Sequence, residues 1–297
     1  MEVELVKFKN RSGLYLDGIY FNSPANHHVI IHVHGSFGNF YSNPFIKTMA
    51  QVYNSHGINF LSFNLTQHDG IAEAVRENNG VQTWEYIGYA ISDYDTCVDD
   101  IAGAIDYVKI RHNDSIVLQG HSLGCNRVLY YLIQSKSTYP IVLLSPTNSL
   151  ELQRRWVFPE TIEQQIARLK MWNNNTNISY VEHGVNTSGR EINKAEDTCP
   201  FIPISGQALL SMLENQSMDI VRMLITKEPV VNPAFIYLGE SDEYQTDKKE
   251  KYIECFDHFF SKTTYKILAN GNHSFHGYEE ELAICISEWA NKIDMYN

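Results

Sequence analysis

The chain has 297 residues, of which 43% are apolar and 20% are charged, and these proportions are typical of a packed globular protein rather than a disordered one. Its formal net charge is −12 with histidine counted as neutral. An acidic chain without a run of Lys or Arg repels phosphate groups, so a nucleic-acid partner is not expected.

The N-terminal residues predict a β-hairpin followed by a buried strand. Apolar positions in residues 3–6 and 14–21 flank a turn at residues 11–13, and residues 28–34 form an almost continuous apolar run. Strands and helices then alternate, with strands predicted at 58–63, 115–119 and 141–144 and helices at 94–108 and 126–134. This alternation is typical of a parallel sheet that is packed between helices.

The alternation is interrupted between residues 148 and 228. Helices are predicted there at residues 160–171 and 204–224, with polar loops between them. The alternation then resumes, with strands predicted at 234–238 and 264–268 and helices at 248–260 and 279–293. We therefore predict an α/β core formed by residues 1–147 and 229–297, with a helical cap or lid inserted at residues 148–228.

The clearest motif is the G-x-S-x-G pentapeptide at residues 120–124. It directly follows the apolar strand predicted at 115–119 and precedes the helix predicted at 126–134. A sharp turn between a strand and a helix presents a serine hydroxyl at the carboxyl edge of the sheet, and the small glycines avoid a clash in that turn. The N-terminus of the helix also stabilises developing negative charge. We therefore predict that Ser122 is a nucleophile.

A serine hydroxyl needs activation to react at neutral pH. A histidine must accept its proton, and a buried carboxylate must orient that histidine and stabilise the imidazolium ion. Residues of both types follow the last two predicted strands. The candidates for the acid are Glu240, Asp242 and Glu243, and the candidates for the base are His273 and His276.

These motifs resemble those of the α/β-hydrolase family, and the likeness covers essentially the whole chain. The resemblance implies a mostly parallel, eight-stranded sheet with helices on both faces and a helical lid insertion. It also implies a catalytic triad in the chain order nucleophile, acid, histidine. By the family's G-x-x-D spacing from Gly239, Asp242 is the acid, and His273, which follows the last predicted strand, is the base.

The same resemblance implies an oxyanion hole, which requires two backbone N–H donors. One donor is the amide of Leu123, the residue after the nucleophile. The other belongs to residues 34–38, which match the family's H-G-x segment. Ser36 is the expected donor in that loop, and Phe37 is the alternative. Cys125, which follows the pentapeptide, is expected to be a small buried residue rather than a reactive thiol.

Side chains close to these motifs are candidates for the substrate pocket. Phe37 and His121 are predicted to bind substrate because they adjoin the oxyanion loop and the nucleophile. The aromatic residues of the predicted lid are expected either to line an acyl or alcohol pocket or to pack the lid helices together: Trp156, Phe158 and Trp172. The cations of the lid are expected either to bind an anionic substrate group or to form its solvent-exposed face: Arg154, Arg155 and Lys170.

The sequence therefore predicts a serine hydrolase that cleaves a carboxylic ester, thioester or amide of a small molecule through an acyl-enzyme on Ser122. This chemistry requires no metal and no organic cofactor. Residues 92–95 and 120–132 are further similar to a branch that includes fungal siderophore-ester hydrolases, in which a threonine stands at the position of Leu123. The alternatives are a thioesterase or acyltransferase of secondary metabolism and a small-molecule receptor on the same scaffold.

The cysteines and the N-terminal residues bear on the cellular compartment. The five cysteines are scattered and show no C-x-x-C pairing, so they predict neither a disulfide framework nor a zinc site. The first residues alternate charged and apolar types, unlike a signal peptide, and no apolar run reaches the ~18 residues of a bilayer span. We therefore expect a cytoplasmic protein without membrane contact, and the sequence leaves open whether it forms a homodimer.

Overall fold

The computed structural model describes residues 2–25, 28–111, 115–157, 159–172, 180–182 and 203–293. In chain order, the first half contains β1 (Glu2–Lys9), β2 (Tyr15–Asn22), β3 (His28–Val33), α1 (Phe45–Ser55), β4 (Ile58–Phe63), β5 (Ala72–Asn78), β6 (Val81–Ile87), α2 (Thr96–Arg111), β7 (Ile116–His121), α3 (Leu123–Ser135) and β8 (Ile141–Leu144). The second half contains α4 (Ser149–Val157), α5 (Ile162–Trp172), β9 (Tyr180–Glu182), β10 (Pro203–Ser205), α6 (Gly206–Glu214), α7 (Ile220–Thr226), β11 (Val230–Gly239), α8 (Lys249–Phe259), β12 (Phe260–Leu268) and α9 (Glu279–Ile293).

Eight strands form one sheet, in the order β1-β2-β4-β3-β7-β8-β11-β12. The pairings of β2 with β1 and with β4 are antiparallel, and the pairings from β4 through β12 are parallel. The strands β3, β4, β7 and β8 are buried along their full length, as their apolar sequences predict. Because the parallel strands run in the same direction, the loops that follow β3, β7, β11 and β12 leave the sheet at one edge.

Helices cover both faces of this sheet. On one face, α2, α3 and α8 pack through buried apolar side chains such as Ile105, Val128 and Phe256. On the other face, α1 and α9 pack through side chains such as Met49 and Ile286. The mostly parallel, eight-stranded sheet between two helical layers confirms the predicted fold class.

A third apolar cluster lies at the edge of the sheet where the parallel strands end. The helices α4, α5 and α6 contribute Val157, Leu169 and Leu209 to this cluster, which also contains Leu123 at the start of α3. The buried residues of α7, such as Leu224, belong instead to the core on the α2, α3 and α8 face. The segment between β8 and β11 therefore packs against Leu123, the residue directly after Ser122.

The prediction of a single helix over residues 204–224 is wrong. The chain forms α6, a 3₁₀ turn (Gln216–Met218) and α7 in this stretch. The side-chain oxygen of Asn215 accepts a hydrogen bond from the N–H of Ser217 at 2.9 Å, and that of Asp219 accepts one from the N–H of Arg222 at 3.1 Å. Each side chain caps a new helical start, so the chain changes direction twice where the apolar periodicity suggests continuity.

The sequence analysis does not predict α1 or the hairpin formed by β5 and β6. Asn79 and Gly80 connect the two hairpin strands with positive φ angles of 52° and 79°, as a type I′ turn requires. Trp84 and Tyr86 on this hairpin are 76% and 70% exposed. Among the described helices, none is both long and apolar enough to cross a membrane.

Candidate active site

Ser122 occupies the turn between β7 and α3 in a backbone conformation that is unusual for a residue with a side chain. Its φ is 56° and its ψ is −127°. A Cβ atom on Gly120 would lie 2.5 Å from the carbonyl oxygen of Gly124, and a Cβ atom on Gly124 would lie 2.1 Å from that of Val33. Both distances are shorter than any tolerated contact, so the turn requires glycine at both positions. The structure thus gives the pentapeptide the strand, turn and helix that a nucleophile elbow needs.

Asp242 and His273 come together from the loops that follow β11 and β12. Nδ1 of His273 lies 2.9 Å from Oδ1 and 3.1 Å from Oδ2 of Asp242, and the two side chains are only 9% and 4% exposed. Because a carboxylate only accepts hydrogen bonds, Nδ1 carries the proton in this contact, and Nε2 of the neutral ring keeps a lone pair. This arrangement leaves Nε2 able to accept a proton.

The other candidates for acid and base lie differently. Glu240 pairs with Lys249, and the exposed ring of His276 pairs with Glu279 at 3.3 Å. Neither Glu240 nor His276 lines the cavity at Ser122. Glu243 does line that cavity, and its Oε2 accepts a hydrogen bond from the backbone N–H of His273 at 3.2 Å.

Ser122 and His273 line one cavity of about 380 Å³ at the edge of the sheet. Ser36, Phe37 and Leu123 line it as well, so the predicted oxyanion residues border the same space as the nucleophile. The ring of Phe37 packs on Tyr89 with its centroid 3.9 Å away. A Cβ atom on Gly35 would lie 2.9 Å from Cβ of Ser122, so the loop touches the nucleophile directly.

His121 lines the cavity, and its ring forms a hydrogen bond with the backbone. Nε2 of His121 donates to the backbone carbonyl oxygen of His273 at 3.0 Å, and the hydroxyl of Ser145 donates to the same oxygen at 2.7 Å. Burial, and next the nearby His273 ring, hold the pKa of His121 well below its usual range, so the ring is neutral. We interpret His121 as a support for His273, a role that the sequence analysis did not assign to it.

His34 fixes the start of the loop that was predicted to form the oxyanion hole. Its Nδ1 donates to the carbonyl oxygen of Gly35 at 2.9 Å, and its Nε2 accepts the N–H of Leu65 at 3.1 Å. Burial, and next the Arg127 charge, hold the pKa of His34 well below its usual range. The ring is therefore a neutral tautomer with its proton on Nδ1.

Arg127 lies behind the same loop, and sequence reasoning missed it. Its guanidinium, on helix α3, donates to the carbonyl oxygens of His34 and Gly35. The available signal was that Arg127 is the one charged residue in the helix sequence that follows Ser122. Cys125 is buried as predicted, its Sγ donates to the carbonyl oxygen of Gly120 at 3.2 Å, and burial raises the pKa of its thiol.

The substrate-binding predictions for the segment between β8 and β11 have mixed outcomes. Trp156 lines the cavity. Phe158 lies outside the described residues, and Trp172 ends α5 with a side chain that is also outside them. Six apolar side chains line this side of the cavity, and only Trp156 among them was predicted: Leu152, Trp156, Leu209, Met212, Leu213 and Met218. The polar residues Thr147, Ser149 and Gln153 line it as well.

The three cations proposed for this segment do not line the cavity. Arg154 pairs with Glu151, Arg155 donates to the carbonyl oxygen of Thr246, and Lys170 pairs with Glu214 at 2.6 Å. Among the described residues, no three His, Cys, Asp or Glu side chains are grouped as metal ligands would be.

Comparison with known proteins bears on the fold. A family model described as a protein of unknown function, DUF1749, matches residues 78–186. No curated protein matches the chain. Solved structures match it over nearly its full length, at low sequence identity.

Three of these structures illustrate the likeness. Est1E from Butyrivibrio proteoclasticus with bound ferulic acid is 14% identical, with a TM-score of 0.61 over 97% of this chain and 98% of that one. The α/β hydrolase GrgF from Penicillium sp. sh18 is 18% identical, with a TM-score of 0.67 over 99% and 97%. A monoacylglycerol lipase from Paleococcus ferrophilus is 18% identical, with a TM-score of 0.61 over 98% of each chain. With the sheet order and the elbow at Ser122, these likenesses show that this chain has the α/β-hydrolase fold.

Proposed function

We propose that this protein is a serine hydrolase that cleaves a carboxylic ester of a small organic substrate through an acyl-enzyme on Ser122. The observation that carries the proposal is the buried Asp242–His273 pair, whose histidine borders the same cavity as Ser122 in its glycine-dependent turn. The strained turn and the buried carboxylate of Asp242 are both unfavourable for stability, and nucleophilic catalysis requires that they occur together at one site.

The proposed reaction has two halves. Oγ of Ser122 attacks the substrate carbonyl carbon while Nε2 of His273 takes its proton, and Asp242 stabilises the resulting imidazolium. The N–H groups of Ser36 and Leu123 hold the oxyanion. His273 then gives its proton to the leaving alcohol. In the second half, the same histidine activates a water molecule that hydrolyses the acyl-enzyme and regenerates Ser122.

The cavity and the structural neighbours support an ester as substrate. A space of about 380 Å³ fits a small molecule, and the wall that contains Leu209 and Met212 suits an apolar acyl or alcohol group. The similar structures include an esterase with ferulic acid and a monoacylglycerol lipase. A thioester, an amide or transfer to another acceptor would use the same residues, with ester hydrolysis favoured by its easier leaving group.

Labelling with a fluorophosphonate probe tests the nucleophile. We expect rapid modification that peptide mapping assigns to Ser122 and that Ser122→Ala abolishes. A screen of chromogenic acyl esters of graded chain length, with matched thioesters and amides, then identifies the substrate class. Equal labelling of the wild-type protein and Ser122→Ala would contradict the proposal. A folded protein that binds ligands without labelling or turnover would indicate a receptor.

Variants of the triad test the mechanism. Ser122→Ala and His273→Ala should each reduce turnover to near background, and the double variant should be little worse, because triad members act as a unit. Asp242→Asn should lower kcat by about 10³- to 10⁴-fold, because the asparagine amide favours the wrong tautomer of His273 and carries no charge to stabilise the imidazolium. Losses that add in the double variant would argue against a shared mechanism.

A further inference from the structure

A fully buried arginine lies behind the loop that borders the nucleophile. Arg127 follows Ser122 by little more than one turn of α3, and its exposure is 0%. Nη1 donates to the carbonyl oxygens of His34 at 3.0 Å and Gly35 at 3.2 Å, and Nη2 donates to Oε1 of Gln67 at 2.9 Å. All three acceptors are uncharged, and the guanidinium also lies over the ring of Tyr94, 5.9 Å from its centroid.

The charge of Arg127 has no direct counter-ion. In the part of the chain that the structure describes, no carboxylate lies within ion-pair distance of it and its Nε has no hydrogen-bond partner. The buried carboxylate of Asp100 interacts with the Arg127 charge without a direct contact. The oxygens of Asp100 accept hydrogen bonds from Asn10 and Thr66 instead. Burial of a charge without an adjacent carboxylate is unfavourable, and the hydrogen bonds of the guanidinium to His34, Gly35 and Gln67 offset part of that penalty.

The hydrogen bonds to Gly35 determine how the next peptide unit is oriented. The Gly35 carbonyl oxygen accepts from Nδ1 of His34 at 2.9 Å, from Arg127 at 3.2 Å and from the N–H of Gly38 at 3.3 Å. In a planar trans peptide, this carbonyl and the N–H of Ser36 point in opposite directions. Holding the carbonyl towards Arg127 therefore turns the Ser36 N–H to the other side of the loop.

We propose that Arg127 is the positioning residue of the oxyanion hole: its guanidinium fixes the Gly35 carbonyl so that the Ser36 N–H meets the oxygen of a substrate attacked by Ser122. Its unpaired positive charge adds a fixed field that favours the oxyanion over the neutral substrate. The inference rests on the proposed hydrolase function. It adds a residue that does not touch the substrate and acts through the loop.

The test compares three substitutions at position 127 with a matched control on the same helix. Arg127→Met removes the donors and the charge, Arg127→Gln removes the charge and keeps a donor, and Arg127→Lys keeps the charge with a shorter reach. Leu132→Ala is the control, because it removes a buried side chain from the last turn of α3 without touching the loop. Circular dichroism and thermal unfolding establish which variants are folded.

The readouts are kcat, KM and the inhibition constant of a trifluoromethyl ketone, whose carbonyl carbon bonds to Ser122 Oγ and whose oxygen becomes an oxyanion. We expect Arg127→Met to lower kcat about 100-fold with KM nearly unchanged, which is the loss caused by removing one oxyanion donor elsewhere. Ketone binding should weaken by a similar factor. The kcat and ketone affinity of Arg127→Gln should lie between those of Arg127→Met and Arg127→Lys. Leu132→Ala should lower the melting temperature and leave kcat and ketone affinity unchanged.

Two results would overturn the inference. One is that Arg127→Met folds and keeps kcat and ketone affinity within about 3-fold of the wild type. If Arg127→Met does not fold, the same result in folded Arg127→Lys and Arg127→Gln would overturn the inference. The other is unchanged amide hydrogen exchange in residues 34–38 of these variants. Failure of the proposed function gives a different pattern, because the wild-type protein would then match Ser122→Ala in turnover while the exchange measurement still reports whether Arg127 holds the loop.

Discussion

Nε2 of His121 donates a hydrogen bond to the backbone carbonyl oxygen of His273 across 3.0 Å. The residue before Ser122, the proposed nucleophile, therefore holds the backbone of the candidate base. His121 belongs to β7, whereas His273 lies in the loop beyond β12, which is separated from β7 by β8 and β11 in the sheet. This bond, together with that from the hydroxyl of Ser145, links the strand that precedes Ser122 to the loop that carries His273, across the two strands between them.

Replacement of His121 by phenylalanine tests this support. His121→Phe keeps the aromatic packing against Phe45 and Phe275 and removes the donor. We expect kcat to fall by about 5-fold with little change in KM, since one hydrogen bond contributes about 1 kcal/mol and each 1.4 kcal/mol is a factor of ten. Ser145→Ala removes the other donor to the same oxygen, and the double variant should lose more than either. Unchanged kcat in the double variant would refute the role.

Glycine at position 35 should be required for turnover and not for folding. A Cβ atom there meets Cβ of Ser122 at 2.9 Å, so Gly35→Ala must push the oxyanion loop away from the nucleophile. We expect kcat to fall at least 10-fold, because a displaced donor loses most of its effect. Gly70→Ala is the control, since a Cβ atom on Gly70 meets nothing within 4 Å. Equal activity of the two variants would show that the loop accommodates the methyl group.

Glu243 should select against anionic substrates. Among the described residues that line the cavity, it contributes the one Asp, Glu, Lys or Arg side chain. Glu243→Gln removes the charge while its amide oxygen keeps the bond to the His273 N–H. At this exposed site, we expect the kcat/KM of a chromogenic hemisuccinate ester to rise about 3- to 5-fold relative to that of the matched neutral butyrate.

Added salt provides the control for this charge effect. In the wild-type protein, about 0.5 M NaCl should reduce the preference for the neutral ester, because exposed charges are screened at that ionic strength. In Glu243→Gln, the same salt should have little influence on the ratio of kcat/KM for the hemisuccinate ester to that for the butyrate ester. A ratio that is identical in the two proteins at low salt would contradict the prediction.

Buried neutral histidines should make the fold sensitive to acid. Burial lowers the pKa of His32 to about 3 and holds the pKa values of His34 and His121 well below the usual range. As the pH falls below about 6.5, the unfolded chain binds a proton at each histidine and the folded chain does not. Each histidine therefore removes about 1.4 kcal/mol of unfolding free energy per pH unit.

One buried carboxyl acts in the opposite direction. Burial raises the pKa of Asp100 to about 6, so between about pH 6 and pH 4 the folded chain binds a proton there that the unfolded chain does not. Together, the three histidines and Asp100 should therefore lower the free energy of unfolding by about 3 kcal/mol for each unit that the pH falls in this range. Urea unfolding between pH 7.5 and 4.5 measures the slope. His32→Gln should make it shallower by about 1.4 kcal/mol per pH unit, and an unchanged slope would count against a neutral His32.

The parts of the fold that rest on local patterns were predictable. Continuous apolar runs identify β3, β4 and β7, and the closing helix Glu279–Ile293 has the bounds that were predicted. The β5 and β6 hairpin was missed because the consecutive polar residues 76–78 interrupt the apolar alternation, although Asn79 and Gly80 form a favoured turn pair. The α1 sequence also has helical periodicity, with Phe45, Met49 and Tyr53 buried on one face.

The parts of the site that depend on contacts between distant segments were not predictable. Chain order and short spacings suffice to nominate Ser122, Asp242 and His273. No local pattern states that Ser145 reaches the carbonyl of His273, which lies 128 residues away. Arg127 is likewise an ordinary helix residue until the fold brings residues 34 and 35 against it.

Trp156 gives the cavity an optical reporter. Its indole lies in the cavity wall, whereas Trp84 is exposed on the hairpin and Trp289 is buried under the sheet. Occupancy should therefore alter the fluorescence of Trp156, and Trp84→Phe reduces the background emission. Titration of Ser122→Ala with an intact ester then yields an affinity in the absence of any bond cleavage, so recognition and chemistry become separate measurements on one protein.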